Sequence, residues 1–251
     1  MNNAQPNEAI ERYPLRSLTP VLRGFRPPAG AFDAAGSWRE VFGVFTLAGR
    51  AAAARRVGEL RLERRVRGDG EAVLNVAYEK RLTGGSQKLT AALHSRAGER
   101  LATPSRWTFE TRLLDAGGRE IAGTRLKRSA TVDDGTITVR DAVATRTLRP
   151  AGAYTVNWSL FDAVQRLPRR PGRPIDFTLI DHFDQPKGRQ TLAFRKAMDV
   201  AVAGGRTVRT FSFDLLGDGN VPWVYWVDEQ GRLLFIVAGL EGYVLESCRQ
   251  A

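Results

Sequence analysis

The chain of 251 residues has little of the chemistry that thiols and imidazoles supply, since it contains one cysteine and two histidines. A single cysteine, Cys248, excludes an internal disulfide, so the fold does not depend on an oxidising compartment. His94 and His182 lie far apart in sequence, whereas a zinc site takes three or four ligands. Phosphate-binding and dinucleotide-binding glycine motifs are also absent. We therefore expect no metal and no cofactor.

Long apolar runs are missing as well. No run of 18 apolar residues occurs, so the sequence predicts no transmembrane segment. Residues 1–6 do not show the basic segment and apolar core of a signal peptide. The sequence therefore predicts a cytoplasmic protein or, if a leader has been removed, a periplasmic or secreted one.

The charge is strongly basic: 38 lysines and arginines against 27 acidic residues leave a net charge of +11. The arginines are spread along the chain and alternate with acids, as in residues 59–65. Attraction of a polyanion needs a clustered field, so we interpret most arginines as solvated strand faces and expect no nucleic acid partner. A role at an anionic surface is an alternative that rests on charge alone.

Apolar and polar residues alternate from residue 58 to 147 and again from 175 to 245, with short glycine turns between the runs. A period of two is typical of strands that are buried on one side. The pattern predicts a mainly β protein, a curved antiparallel sheet or open barrel to which both regions contribute. Residues 1–36, rich in proline and glycine, are predicted to form an extended N-terminal arm before a single β domain at 37–251.

One segment breaks this rhythm. Between residues 154 and 167 the apolar side chains fall at helical spacing and Pro168 ends the run; these side chains are Val156, Leu160, Phe161, Val164 and Leu167. The pattern predicts one helix, which we expect to lie against the concave face of the sheet.

The C-terminal region contains an aromatic run, residues 222–226, followed by an Asp-Glu-Gln-Gly turn and a second apolar run. This order is typical of a β-hairpin. The hairpin resembles a pattern of uncharacterised bacterial secreted β proteins, in which a Pro-x-Trp-x-Tyr or similar aromatic segment leads into Asp-x-x-Gly-Arg-Leu. The matching residues are Pro222, Trp223, Tyr225, Asp228, Gly231, Arg232 and Leu233. The resemblance covers about residues 175 to 245. It implies a curved antiparallel sheet related in shape to lipoprotein carriers, with a groove around a helix.

Large aromatic side chains are the candidates to line such a groove. In an extended strand Trp223 and Tyr225 share one face and Trp226 faces the other way. The predicted function is binding of a small molecule, hydrophobic or amphipathic and possibly glycosidic, in an aromatic-lined β groove. The predicted ligand-binding residues are Trp158, Phe161, Trp223, Tyr225 and Trp226.

The alternative function is an enzyme of the lyase or hydrolase type that uses the same groove. His182 is its predicted acid–base group, because Asp184 lies two residues away and a strand would place both on one face. Tyr225 is predicted to stabilise charge. A turn at residues 184–188 is the competing interpretation, which would make Asp184 structural.

Overall fold

The computed structural model describes residues 15–47 and 54–250, so the first fourteen residues of the predicted arm lie outside the described residues. Within these ranges fifteen strands form one sheet. The strands are β1 (Trp38–Thr46), β2 (Arg55–Val66), β3 (Glu71–Leu82), β4 (Gly85–Arg96), β5 (Pro104–Asp115), β6 (Leu126–Asp133), β7 (Thr136–Asp141), β8 (Thr145–Leu148), β9 (Tyr154–Val156), β10 (Ile175–Asp181), β11 (Gln185–Ala201), β12 (Thr207–Gly217), β13 (Trp223–Val227), β14 (Leu233–Ala238) and β15 (Glu241–Gln250). Two short helices, α1 (Thr19–Leu22) and α2 (Ser159–Ala163), accompany them, with 3₁₀ turns at Leu15–Leu18, Val164–Arg166 and Ala203–Gly205.

The strand order is β8-β7-β6-β5-β4-β3-β2-β1-β15-β14-β13-β12-β11-β10-β9. The pairing of β1 with β15 therefore joins the two halves of the chain in the middle of the sheet. Neighbouring strands are antiparallel except β9 and β10, which are parallel. The structure confirms the predicted curved, open sheet, and both alternating regions contribute to one continuous system.

The predicted helix at 154–167 is wrong in its extent. Tyr154–Val156 form β9, and only Ser159–Ala163 are α-helical before the 3₁₀ turn Val164–Arg166. The aromatic and β-branched residues at its start suit a strand, and Thr155 Oγ1 donates a 2.9 Å hydrogen bond to the carbonyl of Leu101. Helical spacing was therefore a true signal for only half of the segment.

The short helix α2 is nevertheless buried against the inner face of the sheet, as predicted. All five of its residues are buried. The ring of Phe161 lies edge-on to Phe42, Tyr225 and Tyr243, with centroid distances of 6.4, 6.1 and 5.8 Å. We call residues 158–166 the plug, because they fill the interior of the open barrel.

Polar side chains fix the plug to the sheet. The guanidinium of Arg64 lies 3.0 Å from the carboxylate of Asp162, and both side chains are buried. Gln165 Nε2 donates to the carboxylate of Glu40 at 3.0 Å, and Gln165 Oε1 accepts from the backbone N–H of Leu233 at 3.3 Å. Such buried polar groups need partners, so these contacts hold the plug in one orientation.

Among the described residues the edge strands β8 and β9 do not pair with each other. Side chains connect the two ends of the sheet instead: Tyr154 Oη of the edge strand β9 donates to the carbonyl of Pro104 in β5, the fourth strand from the other edge, at 2.7 Å. The turn after β10 places Phe183 against Phe109, with stacked rings at 4.4 Å. We call this line of side-chain contacts, which closes the open barrel, the seam.

The described part of the predicted arm differs from an extended chain. Leu15–Leu22 are helical, and Leu18, Leu22 and Phe25 are buried in the core. Pro20 lies in the first turn of α1, where a missing backbone N–H costs nothing. The boundary between an arm at 1–36 and a domain at 37–251 stays a prediction.

Candidate functional site

The structure does not pair His182 with Asp184. His182 and Phe183 form the turn after β10, with φ angles of +48° and +68°, which are uncommon for residues other than glycine. Strand alternation does not apply in such a turn. His182 is 73% exposed and its Nε2 lies 3.7 Å from the carboxylate of Asp181 instead. The predicted acid–base pair is therefore not assembled, and a catalytic role of His182 stays a prediction without support from this geometry.

Asp184 belongs to the seam. Its carboxylate is almost fully buried and lies 3.0 Å from Arg128 of β6 and 2.8 Å from Arg146 of β8. Arg128 also donates to the carbonyl of His182 at 3.2 Å. This geometry favours the structural interpretation of Asp184, which bridges the two edges of the sheet.

The predicted ligand-binding aromatics form a packed cluster. Trp158, Phe161, Tyr225 and Trp226 are buried, and Trp223 is half-buried. Trp223 stacks on Tyr225 at 6.0 Å, so these two rings share the inner face as predicted. Trp226 borders a cavity of only about 40 Å³ beside Leu15. These rings therefore contribute to the packed interior, and their role in ligand binding stays a prediction.

The phenols of Tyr225 and of the neighbouring Tyr243 keep their protons at neutral pH. Burial raises the pKa of Tyr225 well above its usual range, and burial followed by the charge of Glu241 does the same for Tyr243. Tyr243 Oη donates to Glu241 at 2.8 Å, and Lys80 forms an ion pair with the same carboxylate.

Burial, with a smaller contribution from Glu40, raises the pKa of the Cys248 thiol to about 12, so this thiol is not a nucleophile at neutral pH.

A different concave site lies at one end of the inner face. We call it the arginine pocket. Its cavity of about 220 Å³ has an apolar floor of Ile175, Leu192, Phe194 and Phe213 and a rim of Arg100, Arg170 and Arg173. Phe213 pairs with Tyr225 in the register of β12 and β13, so the floor belongs to the same face as the plug.

The floor combines buried and accessible apolar groups. Leu192 and Phe213 are buried, whereas Ile175 and Phe194 are half-buried and reach the cavity surface. Phe194 and Phe213 meet edge-to-face at 5.8 Å, which fixes the shape of the floor. The rim arginines are exposed, and they come from the β4–β5 connection and from the segment between the plug and β10.

Sequence reasoning missed this site because its parts are distant along the chain. No functional role was predicted for residues 169–174, which connect the plug to β10. The available signal was a cluster of arginines between prolines, directly after the buried plug.

The outer face of the sheet has shallower depressions. One of about 660 Å³ crosses β3 to β7 over small side chains such as Thr90, Thr108 and Ser129. Its charged neighbours Lys127 and Glu110 pair with each other at 3.1 Å. This is the arrangement of a solvated strand face.

Within residues 15–47 and 54–250, no three His, Cys, Asp or Glu side chains are grouped to hold a metal ion. No helix in the same ranges is both long and apolar enough to span a membrane.

The fold defines the chain as a β-barrel-like protein with an open, curved sheet. It is similar to the crystal structure of a β-barrel-like protein of the domain of unknown function DUF1849 from Brucella abortus. The TM-score is 0.59 at 12% sequence identity, over 86% of this chain and 98% of that chain. At this identity the likeness shows the fold alone. No protein-family model matches the chain, and no curated protein matches it.

Proposed function

We propose that this protein binds an amphipathic small molecule in the arginine pocket. One observation carries the proposal: half-buried Ile175 and Phe194 leave an apolar floor open to a concave cavity. Ligand sites are typically concave and mostly apolar, with a few polar groups, and they occur in the mouths of β-barrels. The hairpin's resemblance to proteins related in shape to lipoprotein carriers points to the same class of ligand.

The size of the cavity limits the ligand. A water molecule occupies roughly 30 Å³ in the liquid, so a cavity of about 220 Å³ accommodates a short chain or a single ring system. Burial of one methylene group contributes about 0.8 kcal/mol. An apolar tail of about six buried carbons therefore contributes on the order of 5 kcal/mol, which corresponds to weak binding after the costs of association.

The test is titration with 1-naphthylamine, a fluorophore with one ring system that is uncharged at neutral pH and whose emission shifts to shorter wavelength in apolar sites. We expect binding to the native protein. We expect its loss in Ile175→Trp, which fills the cavity, and in Phe194→Asp, which places a charge on the floor. The matched control is Phe211→Asp, a half-buried phenylalanine of β12 outside the pocket.

Thermal denaturation of each variant verifies that it is folded. Unchanged binding in a folded Ile175→Trp variant would place the ligand elsewhere and refute the proposal.

A further inference from the structure

The three rim arginines converge on one apolar cavity from two separate segments. Arg100 lies in the connection between β4 and β5, and Arg170 and Arg173 lie between the plug and β10. The segment that carries Arg170 and Arg173 also contains Pro168, Pro171 and Pro174, and proline restricts the backbone. Arg170 and Arg173 are therefore presented by a segment whose backbone loses little conformational freedom on binding.

Many exposed arginines have acidic partners, whereas among the described residues these three, like Arg140 and Arg206, have none within 4.0 Å. Arg39 pairs with Glu63 at 2.6 Å, and Arg125 lies 3.2 Å from Glu110. In the part of the chain that the structure describes, no carboxylate lies within 4.0 Å of the guanidinium groups of Arg100, Arg170 or Arg173. The nearby carboxylate of Asp176 instead accepts a 2.8 Å hydrogen bond from Thr191.

We propose that the ligand of the arginine pocket is an anionic amphiphile, whose carboxylate or phosphate head binds Arg100, Arg170 and Arg173 while its apolar tail lies on Ile175, Leu192, Phe194 and Phe213. This inference rests on the proposed function and specifies the charge of the ligand. Guanidinium groups form paired hydrogen bonds with both carboxylate and phosphate oxygens. Three neighbouring cations repel each other, so an anion also relieves that repulsion.

The expected contributions to the free energy of binding favour a ligand with a charged head group. The apolar tail alone supports only weak binding, whereas a hydrogen bond to a charged group strengthens binding by about tenfold or more. Two arginines thus contribute about a hundredfold.

The test compares four probes with one tail by isothermal titration calorimetry: octanoate, octyl phosphate, 1-octanol and octyltrimethylammonium. We expect at least one of the two anions to bind about a hundredfold more tightly than octanol, and the cation to bind most weakly. Added salt should weaken the binding of the anions and leave the affinity for octanol unchanged. A preference for octanoate or for octyl phosphate identifies the head group.

The variant Arg170→Gln/Arg173→Gln should lose this preference and still bind octanol. The control Arg140→Gln/Arg206→Gln removes the same charge from exposed sites outside the pocket and should keep the preference. Equal binding of octanol and both anions, or an equal loss in the control, would overturn the inference while the proposed function stands. Failure of all four probes to bind the folded protein would refute both the proposed function and this inference.

Discussion

Two groups of arginines show how one side chain serves two purposes in this fold. Arg64 is completely buried, donates to the carbonyls of Ala35 and Gly36, and pairs with Asp162 of the plug. Arg170 and Arg173 are exposed, and no acidic partner is found for them among the described residues. A buried guanidinium needs compensating partners, which Arg64 finds in the Asp162 carboxylate and in two carbonyls, whereas an exposed guanidinium stays accessible to a ligand. The comparison separates arginines that hold the fold from arginines that we propose to recognise an anion.

The largest expected effect concerns the buried group. Arg64→Ala leaves the Asp162 carboxylate buried without one of its cations, so we expect unfolding free energy to fall by about 3–5 kcal/mol. Denaturant unfolding measures this loss. The control is Arg61→Ala on the opposite face of β2, where the exposed pair with Glu59 contributes about 1 kcal/mol or less. Equal losses in the two variants would contradict a special role for the buried pair.

The seam gives an intermediate case. Asp184→Asn removes the charge that Arg128 and Arg146 share, but Arg146 is 50% exposed and regains solvent. We therefore expect a loss of about 2–3 kcal/mol, the scale of hydrogen bonds to charged groups. Hydrogen exchange should also become faster in β8, which this contact attaches to the β10–β11 turn. Asp115→Asn, which affects an exposed pair with Arg119, is the control; if it matched Asp184→Asn, the seam would not depend on Asp184.

The polar contacts of the plug predict a pH dependence. Burial raises the pKa of Glu40 well above the ordinary value of 4.5 for this side chain, against the opposing hydrogen bond from Gln165. The folded state therefore holds this proton more tightly than the unfolded state. Stability should fall as the pH rises from 4.5 to the folded-state pKa, by about 1.4 kcal/mol per unit of pKa difference.

Glu40→Gln keeps an oxygen acceptor for Gln165 and should remove this part of the slope, which unfolding midpoints across the pH range measure. Asp228, whose pKa burial also raises, leaves a residual slope at lower pH. An identical slope in Glu40→Gln would show that Glu40 titrates alike in both states.

The local sequence pattern was sufficient to predict the strands and the C-terminal hairpin. The hairpin turn is closed by Asp228, whose side chain accepts from the backbone N–H groups of Gln230 and Arg232, both at 2.9 Å. These contacts are adjacent in sequence, so turn composition predicts them. Pairing of β1 with β15 joins residues more than 190 positions apart, and alternation carries no information about such partners.

The candidate site was harder to predict for a related reason. Alternation implied that Arg64 faces inward with Leu60 and Leu62, yet the charge of the segment led to its interpretation as solvated. The pairing of His182 with Asp184 assumed a strand that the left-handed turn interrupts. The arginine pocket combines Arg100 with residues that lie at least 67 positions further along the chain, so only the folded chain brings them together.

The smallest expected effect on stability completes the comparison. Arg170→Gln/Arg173→Gln breaks no ion pair found among the described residues and lowers repulsion between cations. We therefore expect the free energy of unfolding to change by no more than about 0.5 kcal/mol, as for most surface substitutions. The same variant should lose about a hundredfold in affinity for the preferred octyl anion. Arg64→Ala should show the reverse: a large loss of stability, and unchanged binding of the preferred octyl anion to the molecules that stay folded. A stability loss above about 1 kcal/mol in the double variant would mean that the pocket arginines hold the fold, as Arg64 does, and the distinction between the two groups would be lost.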